Sequence, residues 1–139
     1  MEQTKITISG SMVNLPKILT LKEELAEHFG YHILTPKDAD DLLQEMEVTN
    51  FEPIFRKSQA VQIYLNFIKQ SDILLVANFD KGVHKNYIGA GVLSEMAFAY
   101  ALNKPIYIYN GVADSLYKED ILALNPIVLN KNLDKLLSR

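Results

Sequence analysis

Two short apolar runs constrain the fold of this chain more than anything else in it. DILLVAN at 72–78 and PIYIY at 105–109 are continuous rather than alternating in hydrophobicity, the pattern of strands covered on both faces. Between them, NYIGAGVLSEMAFAYALN at 86–103 has helical spacing. A buried strand, a helix and a second buried strand make a parallel crossover unit, and a sheet with helices on both sides follows.

The rest of the chain repeats that unit. KITIS at 5–9 is a β-branched run that stops at Gly10 and Ser11, and the next segment is a helix over 15–29, with apolar residues at Leu15, Ile18, Leu19, Leu21, Leu25 and Phe29. Gly30 ends that helix, and a second strand at 31–34 is stopped by Pro36. A short acidic helix is expected at 38–46, a break at 50–53, and the longest helix at 54–70. There Val61, Tyr64, Leu65 and Ile68 form a stripe that Ile63 and Phe67 widen. So broad a stripe exceeds what one sheet face covers, which suggests a second subunit and hence a homo-oligomer. A helix near 117–124, a strand at 127–129 and a terminal helix at 132–137 complete five βα units. The expected architecture is a single α/β domain over 1–139, a flavodoxin-like three-layer sandwich whose five-stranded, mostly parallel sheet has strand order 2-1-3-4-5.

Composition narrows the functional classes. Fourteen basic and seventeen acidic residues give a net charge of −3 without a long run of either sign, so no footprint for a nucleic-acid polymer or an anionic membrane is present. A small nucleoside or nucleotide remains a suitable ligand for such a fold. Zero cysteines exclude disulfides, cysteine nucleophiles and thiolate metal sites. The opening residues carry no signal-peptide pattern and no apolar run reaches membrane-spanning length, so a cytoplasmic location is expected.

Chemistry in an α/β sheet of this order belongs at the carboxyl ends of the strands, where the order reverses. That places Gly10, Ser11 and Met12 after strand 1, the loop from Asn78 to Gly91 after strand 3, and the start of the following helix around one crevice. This helix carries a single charge, Glu95, with Val92 and Ala99 on its face and Leu93, Met96, Ala97 and Tyr100 beside it. A helix start favours the carboxylate, whereas apolar neighbours disfavour its ionisation. Glu95 therefore reads equally as a functional group or as a carboxylate that satisfies helix-start N–H groups.

Other occupants of such folds are absent by motif: there is no GxGxxG after strand 1, no GKS or GKT phosphate loop and no acidic pair of the receiver-domain kind. Nothing supplies an aromatic pair for a flavin, and no cofactor is expected. Gly10 and Ser11 suit a phosphate or ribose hydroxyl as well as a plain turn. Lys81, His84 and Lys85 suit a 5′-phosphate or a solvated loop, and Met12 and Tyr87 suit a nucleobase or the core. His28 and His32 lack acidic partners at ligand spacing, so no metal is expected. Asp72 opens its strand at the opposite edge of the sheet and falls outside the crevice.

KITISGSM, YLNFIKQSDILLVAN and NYIGAGVLSEMAFAYALNKPIYIYN together resemble the nucleoside 2-deoxyribosyltransferase superfamily, which includes the deoxynucleoside monophosphate N-glycosidases. The resemblance runs through most of the chain and is most specific in the last segment, where a Gly-rich turn leads to a glutamate on an Ala-rich helix followed by a strand. It implies that Glu95 is the nucleophile, attacking the anomeric carbon of a 2-deoxyribose through an oxocarbenium-like transition state. The remaining family pattern is changed. Tyr64 stands where better-known members have an aspartate eight positions ahead of the one matched by Asp72, Gly89 stands where they have an aspartate or a phosphate-binding serine, and Thr7 replaces a tyrosine.

The resulting expectation is cleavage or exchange of the N-glycosidic bond of a 2′-deoxyribonucleoside or its 5′-monophosphate. Glu95 is the nucleophile and the sugar lies over Gly10 and Ser11. Asn78, Asp80, His84, Tyr87, Gly89 and Gly91 line the crevice, and Tyr64, Asp80, His84 or solvent protonates the departing base. The rival expectation, favoured by Tyr64 and Gly89, is a non-catalytic nucleotide-binding or interaction module on the same fold.

Overall fold

A computed structural model describes residues 3–46 and 53–138. The elements run β1 (Lys5–Ser9), α1 (Leu15–Phe29), β2 (His32–Leu34), α2 (Pro36–Glu45), α3 (Pro53–Gln70), β3 (Ile73–Val76), α4 (Ala90–Ala101), β4 (Ile106–Ile108), α5 (Lys118–Ala123) and β5 (Ile127–Val128). Short 3-10 turns cover Met12–Asn14 and Leu133–Ser138. The sheet has the order β2-β1-β3-β4-β5, and every strand pairing in it is parallel.

Alternation along the strands builds the three layers. Ile6, Ile8, Ile73, Leu75 and Tyr107 point to one face and pack with Ile18, Leu21 and Leu25 of α1 and with Leu133 and Leu136 of the terminal turn. Leu74, Val76, Ile106 and Ile108 point to the other, against Ala39 of α2, Tyr64, Phe67 and Ile68 of α3, Met96 and Ala99 of α4 and Ile121 of α5. All four residues of β3 and all three of β4 are buried, which is why their sequences are continuous apolar runs.

Local signals account for the helix ends. Gly30 takes the left-handed conformation, φ 68°, and its N–H bonds back to Ala26 O, closing α1. Pro36 does more than stop β2, because it is the first residue of α2, which begins two residues before the expected start. Thr35 caps that helix: its Oγ1 accepts from Lys37 N–H at 3.2 Å while its own N–H donates to Asp38 Oδ2 at 2.8 Å. The expected terminal helix is a 3-10 turn instead.

The stripe on α3 is narrower than its sequence suggests. Tyr64, Phe67 and Ile68 are buried and Ile63 is partly buried, but Val61 is 38% exposed, with Ile54 and Phe55 also exposed near the amino end of the helix. The expected break at 50–53 lies largely outside the described residues; Pro53 itself opens α3. No described helix is long and apolar enough to cross a membrane.

Candidate active site

β1 ends in the middle of the sheet, between β2 and β3, and the chain leaves it through Gly10. A side chain would be crowded there, since a Cβ would stand 2.8 Å from Ile18 Cδ1, which would have to shift, and 3.1 Å from the Ala77 carbonyl oxygen. The backbone of β1 can therefore lie directly against that of β3, and the turn that follows opens onto a cavity of about 580 Å³. Gly10, Ser11 and Met12 form one side of this cavity. The loop and first turns of α4 contribute Tyr87, Gly89, Gly91 and Glu95, α3 contributes Arg56, Lys57 and Tyr64, and α2 contributes Asp40 and Leu43.

Glu95 is the sixth residue of α4, beyond the first turn, and Gly89 at the N-cap makes no side-chain cap bond. A helix-start carboxylate bonded to free N–H groups is therefore not what this structure holds. Glu95 is half-buried and forms no ion pair among the described residues. Desolvation pushes its carboxyl up to about 7, against the opposing influences of the Ser9 hydroxyl and the Lys57 ammonium. Lys57 reaches in from α3 across Gly91, with its Nζ 3.7 Å from where a Cβ on that glycine would stand. A carboxyl titrating near neutrality in a strand-end cavity is a recurrent feature of catalytic sites.

Tyr64 also lines the cavity, but its hydroxyl donates to the Ile8 carbonyl at 2.6 Å. Burial, reinforced by the negative charge of Glu95 and of Asp38, raises its pKa well above the usual phenol range. The proton of Tyr64 is thus held by the backbone of β1. The cavity mouth is basic: Lys81 sits 4.8 Å from the centre of the Tyr87 ring, and Arg56 is paired with Asp40 at 3.1 Å.

Three expected site residues lie elsewhere. Asn78 is fully buried and ties the ends of β3 and β4 together, its Oδ1 accepting from Asn110 N–H at 2.8 Å and its Nδ2 donating to Asn110 O and Gly111 O. Asp80 shapes the loop, accepting from Asn86 N–H at 2.9 Å and from Lys85 Nζ at 3.0 Å, and these contacts hold its carboxyl below the usual range. His84 pairs backbone to backbone with Lys81 and faces a second depression of about 610 Å³ beyond the loop. Hydrogen bonds made by buried Asn78 and by the more exposed Asp80 cannot be anticipated from apolar periodicity, and Lys81 and His84 turn the loop back on itself before it reaches α4. Arg56, Lys57 and Asp40 were not anticipated as lining residues, because charges on the outer turns of helices read as solvated. No cluster of three metal-ligating side chains is found among the described residues.

No family model matches the chain, and no curated protein matches it in sequence. Solved structures do. A CMP N-glycosidase from Clostridium botulinum superposes with a TM-score of 0.55 at 14% identity, covering 98% of this chain and 100% of that one. A 2-deoxyribosyltransferase from Bacillus psychrosaccharolyticus gives 0.55 at 18%, covering 90% and 98%, and one from Leishmania mexicana gives 0.52 at 13%, covering 84% and 70%. At these identities the likeness is one of fold, a parallel sheet in the order 2-1-3-4-5 between two helical layers.

Proposed function

We propose that this chain is a divergent member of the nucleoside 2-deoxyribosyltransferase superfamily that cleaves or exchanges the N-glycosidic bond of a 2′-deoxyribonucleoside or its 5′-monophosphate, with Glu95 as nucleophile. The observation that carries this reading is the half-buried Glu95 carboxyl, free of any ion pair among the described residues, in a cavity at the end of β1 whose volume suits a nucleoside. The neighbours that share the fold are an N-glycosidase and 2-deoxyribosyltransferases, and this supports the choice of reaction class.

In this mechanism the sugar lies over Gly10 and Ser11, and an oxygen of ionised Glu95 bonds to C1′ as the C1′–N bond breaks. The bonding pair leaves with the base, which takes a proton from cavity water, because the Tyr64 hydroxyl proton is held by Ile8 and neither Asp80 nor His84 lines the cavity. Water or a second base then attacks C1′, giving its proton to the hydroxide left by that transfer, and Glu95 leaves as the carboxylate. Since the nucleophile must be ionised, kcat/KM rises with pH through about 7.

The test is to incubate the protein with each deoxynucleoside and deoxynucleotide, with and without an acceptor base, and to chromatograph for free base. Release that Glu95→Ala abolishes supports the reading. No release from any substrate, or a Glu95→Ala variant as active as wild type, refutes it.

The engagement of Tyr64 with Ile8 favours a second reading, a nucleotide-binding module without turnover, which predicts a ligand-dependent rise in melting temperature and an unconsumed ligand. Under either reading we infer a homo-oligomer, a second copy covering exposed Ile54, Phe55 and Val61. A monomer mass in light scattering refutes that inference.

A further inference from the structure

One buried polar atom has no explained role. Ser9 is the last residue of β1 and is 0% exposed, and its Oγ has no hydrogen-bond partner among the described residues. The other polar side chain on the same face of the strand is accounted for. Thr7 Oγ1 pairs with Ser71 Oγ at 2.7 Å, and Ser71 Oγ donates to the Phe67 carbonyl at 2.8 Å. The backbone of Ser9 is also used, its carbonyl accepting from Ala77 N–H at 2.8 Å. Leaving a buried hydroxyl without a partner is costly, so its retention at the strand end calls for a purpose.

Its neighbour is the Glu95 side chain. Residues alternate along β1, with Ile6 and Ile8 facing α1, so Thr7 and Ser9 face the layer that contains α3 and α4. Tyr64, whose titration feels the Glu95 charge, bonds the Ile8 carbonyl next to Ser9, and the Ser9 hydroxyl itself favours ionised Glu95, although its Oγ makes no hydrogen bond in the arrangement seen. The groups that face Glu95 differ in kind. Lys57 approaches from α3 at the open side of the cavity. Tyr64, also from α3, spends its proton on Ile8, with Asp38 of α2 behind it. Ser9 alone among them offers an uncommitted donor from the buried side.

We propose that Ser9 is a positioning residue for Glu95: when the carboxylate ionises it closes onto the Ser9 hydroxyl, which fixes one oxygen toward the end of β1 and leaves the other facing the cavity. A neutral carboxyl is the weaker acceptor, so the contact favours the ionised form, and it gives the unpaired Ser9 hydroxyl a partner. The consequence for turnover rests on the reading of Glu95 as nucleophile. The contact itself does not.

The experiment is a carbon-13 NMR titration of the Glu95 side-chain carboxyl in the full chain, for wild type, Ser9→Ala and Ser9→Thr, with melting curves at pH 5. Loss of the donor in Ser9→Ala moves the Glu95 titration up by about one pH unit, and Ser9→Thr, which keeps a hydroxyl, restores it toward wild type. At pH 5, where Glu95 is neutral, the Ser9→Ala melting temperature is unchanged or higher. A Ser9→Ala titration that superimposes on wild type overturns the proposal, as does a lowered melting temperature at pH 5, which would show the hydroxyl to have a structural partner. Base release is assayed separately: a shifted titration in a protein that releases no base keeps the positioning contact and removes the enzymatic reading, and the converse result does the opposite.

Discussion

Replacing Glu95 by glutamine separates the electrostatic cost of this residue from everything else it does. In the folded chain its carboxyl titrates at about 7, whereas an unperturbed glutamate titrates at 4.5, and desolvation is the main cause. The folded state therefore binds more protons than the unfolded state between these two values. Stability from this group is fully present below 4.5 and is lost as pH rises through 7. At 1.36 kcal/mol per pH unit the full difference corresponds to about 3 kcal/mol, and because Glu95 is only half-buried about 2–3 kcal/mol is the expected size. Against a total stability of about 5–15 kcal/mol for a domain this is measurable. The assay is urea unfolding of wild type and Glu95→Gln at pH 5 and pH 8. Part of this is already lost at pH 5, so between the two conditions wild type loses about 2 kcal/mol more than the variant, and Glu95→Gln becomes the more stable protein at pH 8. Parallel pH dependences for the two proteins would refute the argument, since they would mean that Glu95 ionises in the fold as readily as in water.

Other outcomes follow from the surroundings of the same cavity. Lys57→Met removes the cation that favours ionised Glu95, and the acid limb of kcat/KM, or the Glu95 NMR titration, moves to higher pH. Tyr64→Phe removes the hydrogen bond to Ile8 O, lowering stability by about 1 kcal/mol in urea unfolding, and under the proposed mechanism it does not abolish base release, because that hydroxyl's proton is committed to Ile8 O. In Gly89→Ala the new Cβ would stand 2.6 Å from Tyr87 Oη, displacing that ring from the cavity wall and raising KM more than it lowers kcat. His84→Ala, which alters a side chain outside the cavity, leaves both kinetic constants within about twofold.

The sheet was readable from sequence because its strands are buried on both faces. Continuous apolar runs at β3 and β4, a β-branched β1 and Gly30 after α1 admit few arrangements other than the one observed. α2 starts two residues before the expected position because Pro36 both stops β2 and opens the helix. Thr35 before it and Asp38 after it carry the capping signature that marks the start correctly. Around the cavity, Gly10, Ser11, Met12, Tyr87, Gly89, Gly91 and Glu95 are legible as neighbours because strand order alone brings the end of β1 to the start of α4, whereas Tyr64 of α3 is picked out only by the family resemblance. Asn78, Asp80 and His84 were not, because hydrogen bonds inside the loop after β3 decide which of its side chains reach the cavity. Lys57 illustrates the complementary gap: periodicity shows which face of α3 is apolar, but not what the first turns of that helix overlook. Ser9 carried a weak signal, a second polar residue two places after Thr7 on one face of a buried strand.

In the proposed reaction Glu95 becomes covalently bonded to the sugar, which peptide mass spectrometry detects in protein quenched with acid during turnover of a deoxynucleotide or deoxynucleoside that it cleaves. The expected product is a peptide containing Glu95 that is heavier by one dehydrated sugar, or sugar phosphate for a nucleotide, with the adduct absent from Glu95→Gln. An adduct on another residue, or base release by Glu95→Gln at the wild-type rate, would contradict it.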